Sequence, residues 1–233
     1  MRSSVSIEGI RAILLDIEGT TTPIAFVHEV LFSYARSHLH DYLSRHFEDE
    51  GVRADVQALR ADGGEFSDEI ESVVAHVQQL IDADRKSTGL KSLQGKIWLQ
   101  GYTDGTLRAQ VYPDVAPALA RWRAAGLNVS IFSSGSVLAQ QLLFAHTEAG
   151  DLTPLINNYF DTTVGKKGEV ESYRRIAETL KLQPGEILFV SDVVNELVAA
   201  REAGMKILLS LRPGNPPQTD AEQYQTIHTF DKL

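Results

Sequence analysis

The sequence has no cysteine in 233 residues. That absence excludes disulfides and thiolate metal sites. Positive charge is scarce as well: 22 Lys and Arg stand against 31 Asp and Glu, for a net charge of −9. A binder of nucleic acid or of an anionic membrane would carry a basic stripe, so neither partner is expected. A phosphate substrate remains compatible, because a bound cation and one lysine can reverse the local field. No run of about 18 apolar residues is present to span a bilayer. The opening Met1-Arg2-Ser3-Ser4 leads into the first strand without the apolar core of a signal peptide. The expectation is a soluble cytoplasmic protein, taken as a monomer. What the chain does have is ordinary for a globular protein, with 43% hydrophobic and 23% charged residues. Its length suits one large domain, or a core domain carrying a smaller one.

The most informative stretch is Leu14-Leu15-Asp16-Ile17-Glu18-Gly19-Thr20-Thr21. An apolar run from Ala12 to Leu15 ends in two carboxylates and then a glycine, the pattern of a buried strand emerging into a tight loop. Period-two alternation puts Asp16 and Glu18 on one side of the chain as it leaves the sheet. Two carboxylates held close together need a cation or a shared proton. The plain alternative is a surface loop with two solvated acids.

After Pro23, apolar residues fall at helical spacing in four stretches: Val27 to Leu43, Val52 to Leu59, a helix from Ser67 through Ile81, and Leu90 to Tyr102. No strand pattern occurs between Thr22 and Leu107. That stretch of about 85 residues far exceeds the dozen or so that a plain crossover needs. It predicts an inserted helical domain over 23–107. From Val111 the pattern changes to alternating strands and helices, so residues 1–22 and 108–233 are expected to form an α/β core. Asp114 is expected to cap a helix over Val115 to Ala125. Strands are expected at Asn128 to Phe132, Tyr159 to Thr163, Ile187 to Val190 and Lys206 to Leu211. The fold class is therefore α/β, a Rossmann-like, mostly parallel sheet with an all-helical cap. The tail from Asn215 is polar and carries no functional assignment.

Four polar clusters follow four candidate strands: Asp16/Glu18, Ser133/Ser134, Lys167 and Asp192/Glu196. In a parallel sheet such ends face one edge. Together they supply what phosphoryl transfer from a monoester needs. A carboxylate can attack phosphorus, and a second acid can protonate the leaving oxygen. Mg²⁺ on oxygen ligands neutralises the crowded charge. Hydroxyls and a helix N-terminus can hold phosphoryl oxygens, and a lysine supplies a point charge. Each cluster also has a plain alternative. The serines could form only a turn and a helix cap, Lys166-Lys167 a solvated pair, and Asp192 only an N-cap. Glu196 is accounted for by its place at a helix start. Lysines just before a helix are nevertheless disfavoured by its dipole, a conflict a bound phosphate would resolve.

The order Asp-x-Glu-Gly-Thr, Ser-Ser-Gly, Lys, Ser-Asp resembles the haloacid dehalogenase superfamily of phosphatases. Its first motif is usually Asp-x-Asp, whereas here the second acid is Glu18. With residues 14–24 (Leu-Leu-Asp-Ile-Glu-Gly-Thr-Thr-Thr-Pro-Ile), the chain resembles the enolase-phosphatase family, also called acireductone synthase. Supporting stretches include Gln94-Gly95-Lys96-Ile97-Trp98, Val111-Tyr112-Pro113-Asp114-Val115 and Arg212-Pro213-Gly214-Asn215. Ser33 stands where that family would have proline. The resemblance implies a bifunctional enzyme of methionine salvage that enolises 2,3-diketo-5-methylthiopentyl-1-phosphate and then hydrolyses its phosphate to the acireductone. It implies one Mg²⁺, with Asp16 as nucleophile and metal ligand, Glu18 as acid/base and metal-associated, and Asp192 as third metal ligand. Ser133, Ser134 and Lys167 would hold the small-molecule phosphate ester. Lys167 rather than Lys166 matches the family's lysine, lying six residues before Tyr173. The inserted helices would form a cap that excludes water. For enolisation the base is left open among Glu18, Glu69 and Glu71. Two alternatives stand beside this one: a phosphatase of the same superfamily without enolase activity, and a phospho-accepting receiver module, against which the long insertion argues.

Overall fold

In the computed structural model the described residues are 7–83, 85, 87–218 and 221–233. The first strand, β1 (Ala12–Leu15), is buried along its whole length. Continuous apolar runs of this kind belong in the middle of a parallel sheet covered on both faces. That is where β1 lies. The sheet also contains β2 (Asn128–Phe132), β3 (Asn158–Phe160), β4 (Ile187–Ser191), β5 (Lys206–Ser210) and β6 (Thr226–Ile227). The order is β3-β2-β1-β4-β5-β6, and every pairing is parallel. Leu15 is in register with Ile131 of β2 on one side and Val190 of β4 on the other. The expected α/β class is thus observed, as a sheet with only parallel pairs.

Strand order reverses between β1 and β4, so the chains leaving their carboxyl ends diverge and open a crevice. Asp16 directly follows β1, and Asp192 directly follows β4. The intervening helices are α5 (Val115–Ala124), α6 (Val137–Ala145), α7 (Val170–Leu180) and α8 (Val194–Glu202). One side of the core packs Leu14, Phe132, Tyr173, Ile176, Phe189 and Leu197 together. The Tyr173 ring sits between Phe132 and Phe189, at centroid distances of 5.6 and 5.1 Å.

The chain forms two compact units. One joins the segment up to Phe26 with Arg108–Leu233; the other is Val27–Leu107. The second unit is helical. π-Helical turns over Phe26–Phe32 run into α1 (Ser33–His46), followed by α2 (Glu50–Ala61), α3 (Ile70–Asp82) and α4 (Thr88–Asp104). α1 buries Ala35, Leu39 and Leu43, a four-residue spacing that makes one stripe. α2 buries Val52, Val56 and Leu59. α4 buries Leu90, Leu93, Ile97 and Trp98, and the Trp98 indole donates to the Leu31 carbonyl at 2.8 Å. α3 starts at Ile70 rather than Ser67, and Glu69 and Glu71 at its start are exposed. No helix among the described residues is long and apolar enough to cross a membrane.

Two further local expectations differ from the structure. β3 ends at Phe160 rather than Thr163, because Asp161 turns back to accept the Thr163 N–H and hydroxyl. Asp114 does not cap α5; its carboxylate is taken by Arg212 (2.8 Å) and by the Phe230 N–H (2.5 Å).

Close helix packing in the second unit makes a sharp prediction. A Cβ on Gly89, in the first turn of α4, would lie 2.5 Å from the Asp55 carbonyl oxygen and 2.9 Å from the Leu59 nitrogen. Gly to Ala in a helix ordinarily stabilises by up to about 1 kcal/mol. Here the obstacle is backbone, so Gly89→Ala is expected to destabilise by about 1–3 kcal/mol. Urea unfolding followed by circular dichroism tests this; a midpoint at or above wild type would refute the tight contact.

Candidate active site

The loop after β1 is wound about a single carbonyl. Ile17 O accepts the N–H groups of Thr20, Thr21 and Thr22, at 3.2, 2.9 and 2.9 Å. The Gly19 N–H closes the turn on Thr22 O at 2.8 Å. The Asp16 N–H reaches Val190 O of β4 at 3.0 Å, which ties its backbone to the neighbouring strand. Gly19 has φ of +66°, and a Cβ there would lie 2.3 Å from Asp192 Oδ2. Only glycine therefore serves both the turn and the close approach of Asp192.

Asp16 is buried, at 4% exposure. Its Oδ1 accepts the Ile17 N–H at 2.7 Å and lies 2.6 Å from Lys167 Nζ. Its Oδ2 accepts from Ser191 Oγ at 3.2 Å. Lys167 also meets Glu196 Oε2 at 2.7 Å, and Ser191 Oγ reaches the same oxygen at 2.9 Å. Burial opposes the charge on Lys167, but Asp16 and Glu196 outweigh it and hold its pKa above the ordinary lysine value. Glu196 is pushed up by burial first and then by Asp16, with Lys167 opposing. Asp192 is pushed up to about 7, by burial first and then by Asp16.

Lys167 arrives differently from the expected strand end. It lies well past β3, in the Gly165-Lys166-Lys167-Gly168 turn before α7. That turn is held through its own carbonyls: Tyr173 Oη donates to Lys167 O at 2.6 Å and Ser172 Oγ to Lys166 O at 2.7 Å. Lys166 points away, with its side chain 84% exposed and 4.0 Å from Glu169. The structure therefore sets Lys167, not Lys166, against Asp16.

On the β2 side, the Ser133 N–H pairs with Phe160 O, and Ser133 Oγ accepts the Gly135 N–H at 3.2 Å. Its hydroxyl proton is left to donate. Ser136 is the cap of α6, accepting from the Ala139 N–H at 3.3 Å. Ser134 is half-buried between the two, and Glu18 is half-buried in the loop after β1, where its backbone bridges to Thr22. Asp16, Lys167 and Asp192 converge at one rim of the sheet. Ser133 follows the strand beside β1 at the same rim.

The sequence sets Glu196 in a polar cluster with Asp192 and also accounts for it by its place at a helix start; in the structure it grips Lys167. The signal in the sequence is that Glu196 lies in the first turn of α8, just past the end of β4 and four residues after Asp192. Ser191 belongs to the Ser-Asp element of the motif order, but nothing in the sequence assigns it a role of its own.

Around Lys167 and Ser191, three carboxylates (Asp16, Asp192, Glu196) face one ammonium, which leaves the cluster short of positive charge. All the donors are oxygens, the set that suits a hard cation such as Mg²⁺. Among the described residues, no three His, Asp or Glu side chains form a closed cage. Mg²⁺ ordinarily uses one or two carboxylates and completes its shell with water and substrate phosphate, so these residues fit it.

An all-parallel sheet with a nucleophile-type aspartate, a lysine and a second aspartate at its switch point defines a class. Residues 10–204 match the family model of haloacid dehalogenase-like hydrolases. A narrower likeness holds over nearly the full length. Enolase-phosphatase E1 of Synechococcus elongatus is 52% identical over 96% of this chain and 98% of its own, and that of Danio rerio is 43% identical over 97% and 95%. The crystal structure of the UTR4 protein of Saccharomyces cerevisiae covers 96% of this chain and all of its own, at 36% identity and a TM-score of 0.84. CbbY of Rhodobacter sphaeroides shares the fold at 18% identity, with a TM-score of 0.59. The chain belongs to the enolase-phosphatase family of these hydrolases.

The buried acids predict a pH-dependent stability. An unfolded aspartate ionises near about 3.9. Between about pH 4 and 7, folded Asp192 keeps a proton that the unfolded chain has released, so metal-free stability falls as pH rises through that window. Asp192→Asn removes the penalty. In metal-free buffer it is expected to raise the thermal midpoint by at least about 3 °C at pH 8, and by less at pH 5. Equal midpoints at both pH values would refute a repelled, desolvated Asp192.

Proposed function

We propose that the chain is a Mg²⁺-dependent enolase-phosphatase acting on the small phosphate ester 2,3-diketo-5-methylthiopentyl-1-phosphate. It first enolises the diketone and then releases inorganic phosphate to give the acireductone. The observation that carries this proposal is the buried Asp16 carboxylate, 2.6 Å from Lys167 and set beside Asp192.

Asp16 is the nucleophile. One carboxylate oxygen bonds to phosphorus as the ester P–O bond breaks, giving an acyl phosphate, and water then cleaves that intermediate to phosphate and free Asp16. The other oxygen stays fixed by its hydrogen bonds, so the carboxylate presents a single orientation. Glu18 protonates the leaving enol oxygen and later takes a proton from the attacking water. Lys167 holds the phosphoryl group beside Asp16, and Ser133 and Ser134 donate to its oxygens. Asp16, Asp192 and Glu18 would hold the Mg²⁺, which supplies charge neutralisation at the phosphate and an electrophile for the enolate. The chemistry belongs to a cytoplasmic monomer in this proposal.

Two measurements test it. With the diketo phosphate, wild type is expected to give enol absorbance followed by phosphate, and Asp16→Asn to lose phosphate release by at least about 10³-fold while remaining folded. Near-normal turnover in that variant would remove Asp16 as nucleophile; phosphate release without any enol signal would favour a phosphatase lacking the enolase step. Chelation is expected to stop turnover and added Mg²⁺ to restore it; turnover unaffected by chelator would exclude metal dependence.

A further inference from the structure

In the loop carrying Asp16, the N–H groups of Thr20, Thr21 and Thr22 go to Ile17 O, while the carbonyls of Gly19 and Thr20 accept from another part of the chain. Both are taken by the chain at and after the end of β5, a segment that no part of the proposed chemistry uses. Ser210 Oγ and Asn215 Nδ2 donate to Gly19 O at 3.1 and 2.9 Å, and Arg212 Nε donates to Thr20 O at 3.0 Å.

Arg212 is itself built in rather than draped on the surface. It is buried at 5% exposure. Its guanidinium lies between the rings of Tyr112 and Phe230, 4.6 and 4.4 Å from their centroids. Nη1 pairs with Asp114 at 2.8 Å and donates to His228 O at 3.0 Å. Nη2 is buried without a hydrogen-bond partner among the described residues. A buried donor left unpaired is unfavourable, so the group is held where it is by its stacking, its Asp114 pair and its bond to Thr20. Tyr112 closes the same arrangement from the other side, its N–H reaching Thr21 O at 2.9 Å.

The clamped backbone is also the surface against which Asp192 is set. The site of a Cβ on Gly19 lies 2.3 Å from Asp192 Oδ2 and 3.0 Å from Asn215 Oδ1. Displacing Gly19 and Thr20 would change the spacing between Asp16 and Asp192. We infer that Arg212, assisted by Asn215, is a positioning residue that fixes the nucleophile loop and thereby the separation of the two acids.

A guanidinium is required because one rigid plane must meet Thr20 O and Asp114 while filling the gap between two rings. A lysine keeps the charge but offers one ammonium point and no plane. The inference rests on the proposed reaction, so wild type and Asp16→Asn are assayed alongside. Arg212→Lys and Asn215→Ala are compared by circular dichroism, by kcat and KM for the diketo phosphate, and by the Mg²⁺ concentration giving half-maximal rate. Misplacement of a reacting group by about 1 Å can cost about 10²-fold. Folded Arg212→Lys is therefore expected to lose about 10- to 100-fold in kcat, to need several-fold more Mg²⁺, and to keep KM within about twofold. Asn215→Ala, which removes one of two donors to Gly19 O, is expected to shift the same two quantities by about 3- to 10-fold. It carries the test if Arg212→Lys does not fold. Folded variants with wild-type kcat and Mg²⁺ requirement would overturn the inference. So would a loss that tracks only the folded fraction, with the Mg²⁺ requirement unchanged. A wild type that releases no phosphate would instead overturn the proposed function.

Discussion

Lys167 wedged between Asp16 and Glu196 is the contact on which the rest of the site depends. Removing two carboxylates and an ammonium from water is costly, and mutual attraction offsets that cost only where geometry is tight. At 2.6 and 2.7 Å the geometry is tight. Yet the balance is incomplete, because Asp192 adds a third acid and, among the described residues, no second cation is paired with the cluster. The cluster is thus poised to take up positive charge. Placing the acids at the ends of β1 and β4, where the sheet changes direction, lets the two approach one crevice without distorting either strand.

None of these groups is held by its charge alone. Lys167 sits on a turn, and turns are the mobile parts of most proteins. Here the turn's carbonyls are pinned by Tyr173 and Ser172 from α7, and Tyr173 is packed between two rings of the core. The loop bearing Asp16 is restrained in the same manner from the other flank by Arg212 and Asn215. In both cases a side chain bonds to a main-chain oxygen of the turn or loop that carries the reacting residue. The side chain of the reacting residue stays available for chemistry while its backbone is fixed.

Much of this was legible beforehand because it rests on local pattern. The apolar run before Asp16, the helical spacing from Val27 to Tyr102 and the strand-helix alternation after Val111 each reflect burial of one face, and burial leaves a periodic trace. Asp16, Lys167 and Asp192 were legible through motif order. The parts played by Glu196, Ser191 and Arg212 were not, although the sequence sets all three within its motifs: each acts through a partner distant in sequence. Asp114 illustrates the point. Its position before α5 suggested a cap, but a carboxylate has only so many lone pairs, and Arg212 and the Phe230 N–H claim them. The early end of β3 is a smaller case, in which Asp161 offered the backbone a turn that competed with the strand.

The central place of β1 has a consequence for how the molecule is made. Its two neighbours, β2 and β4, are encoded after the whole helical insertion, and the hydroxyl that reaches Asp16 is 175 positions away. Pairings of such separation form late and slowly. During synthesis the strand that heads the sheet must wait, apolar on both faces, until nearly all the remaining chain has left the ribosome. The helical unit, whose contacts lie within its own stretch of sequence, can assemble in the meantime. The acidic crevice is therefore among the last features to exist, and a truncated chain ending before Lys167 would display the aspartate with none of the side chains that pair with it.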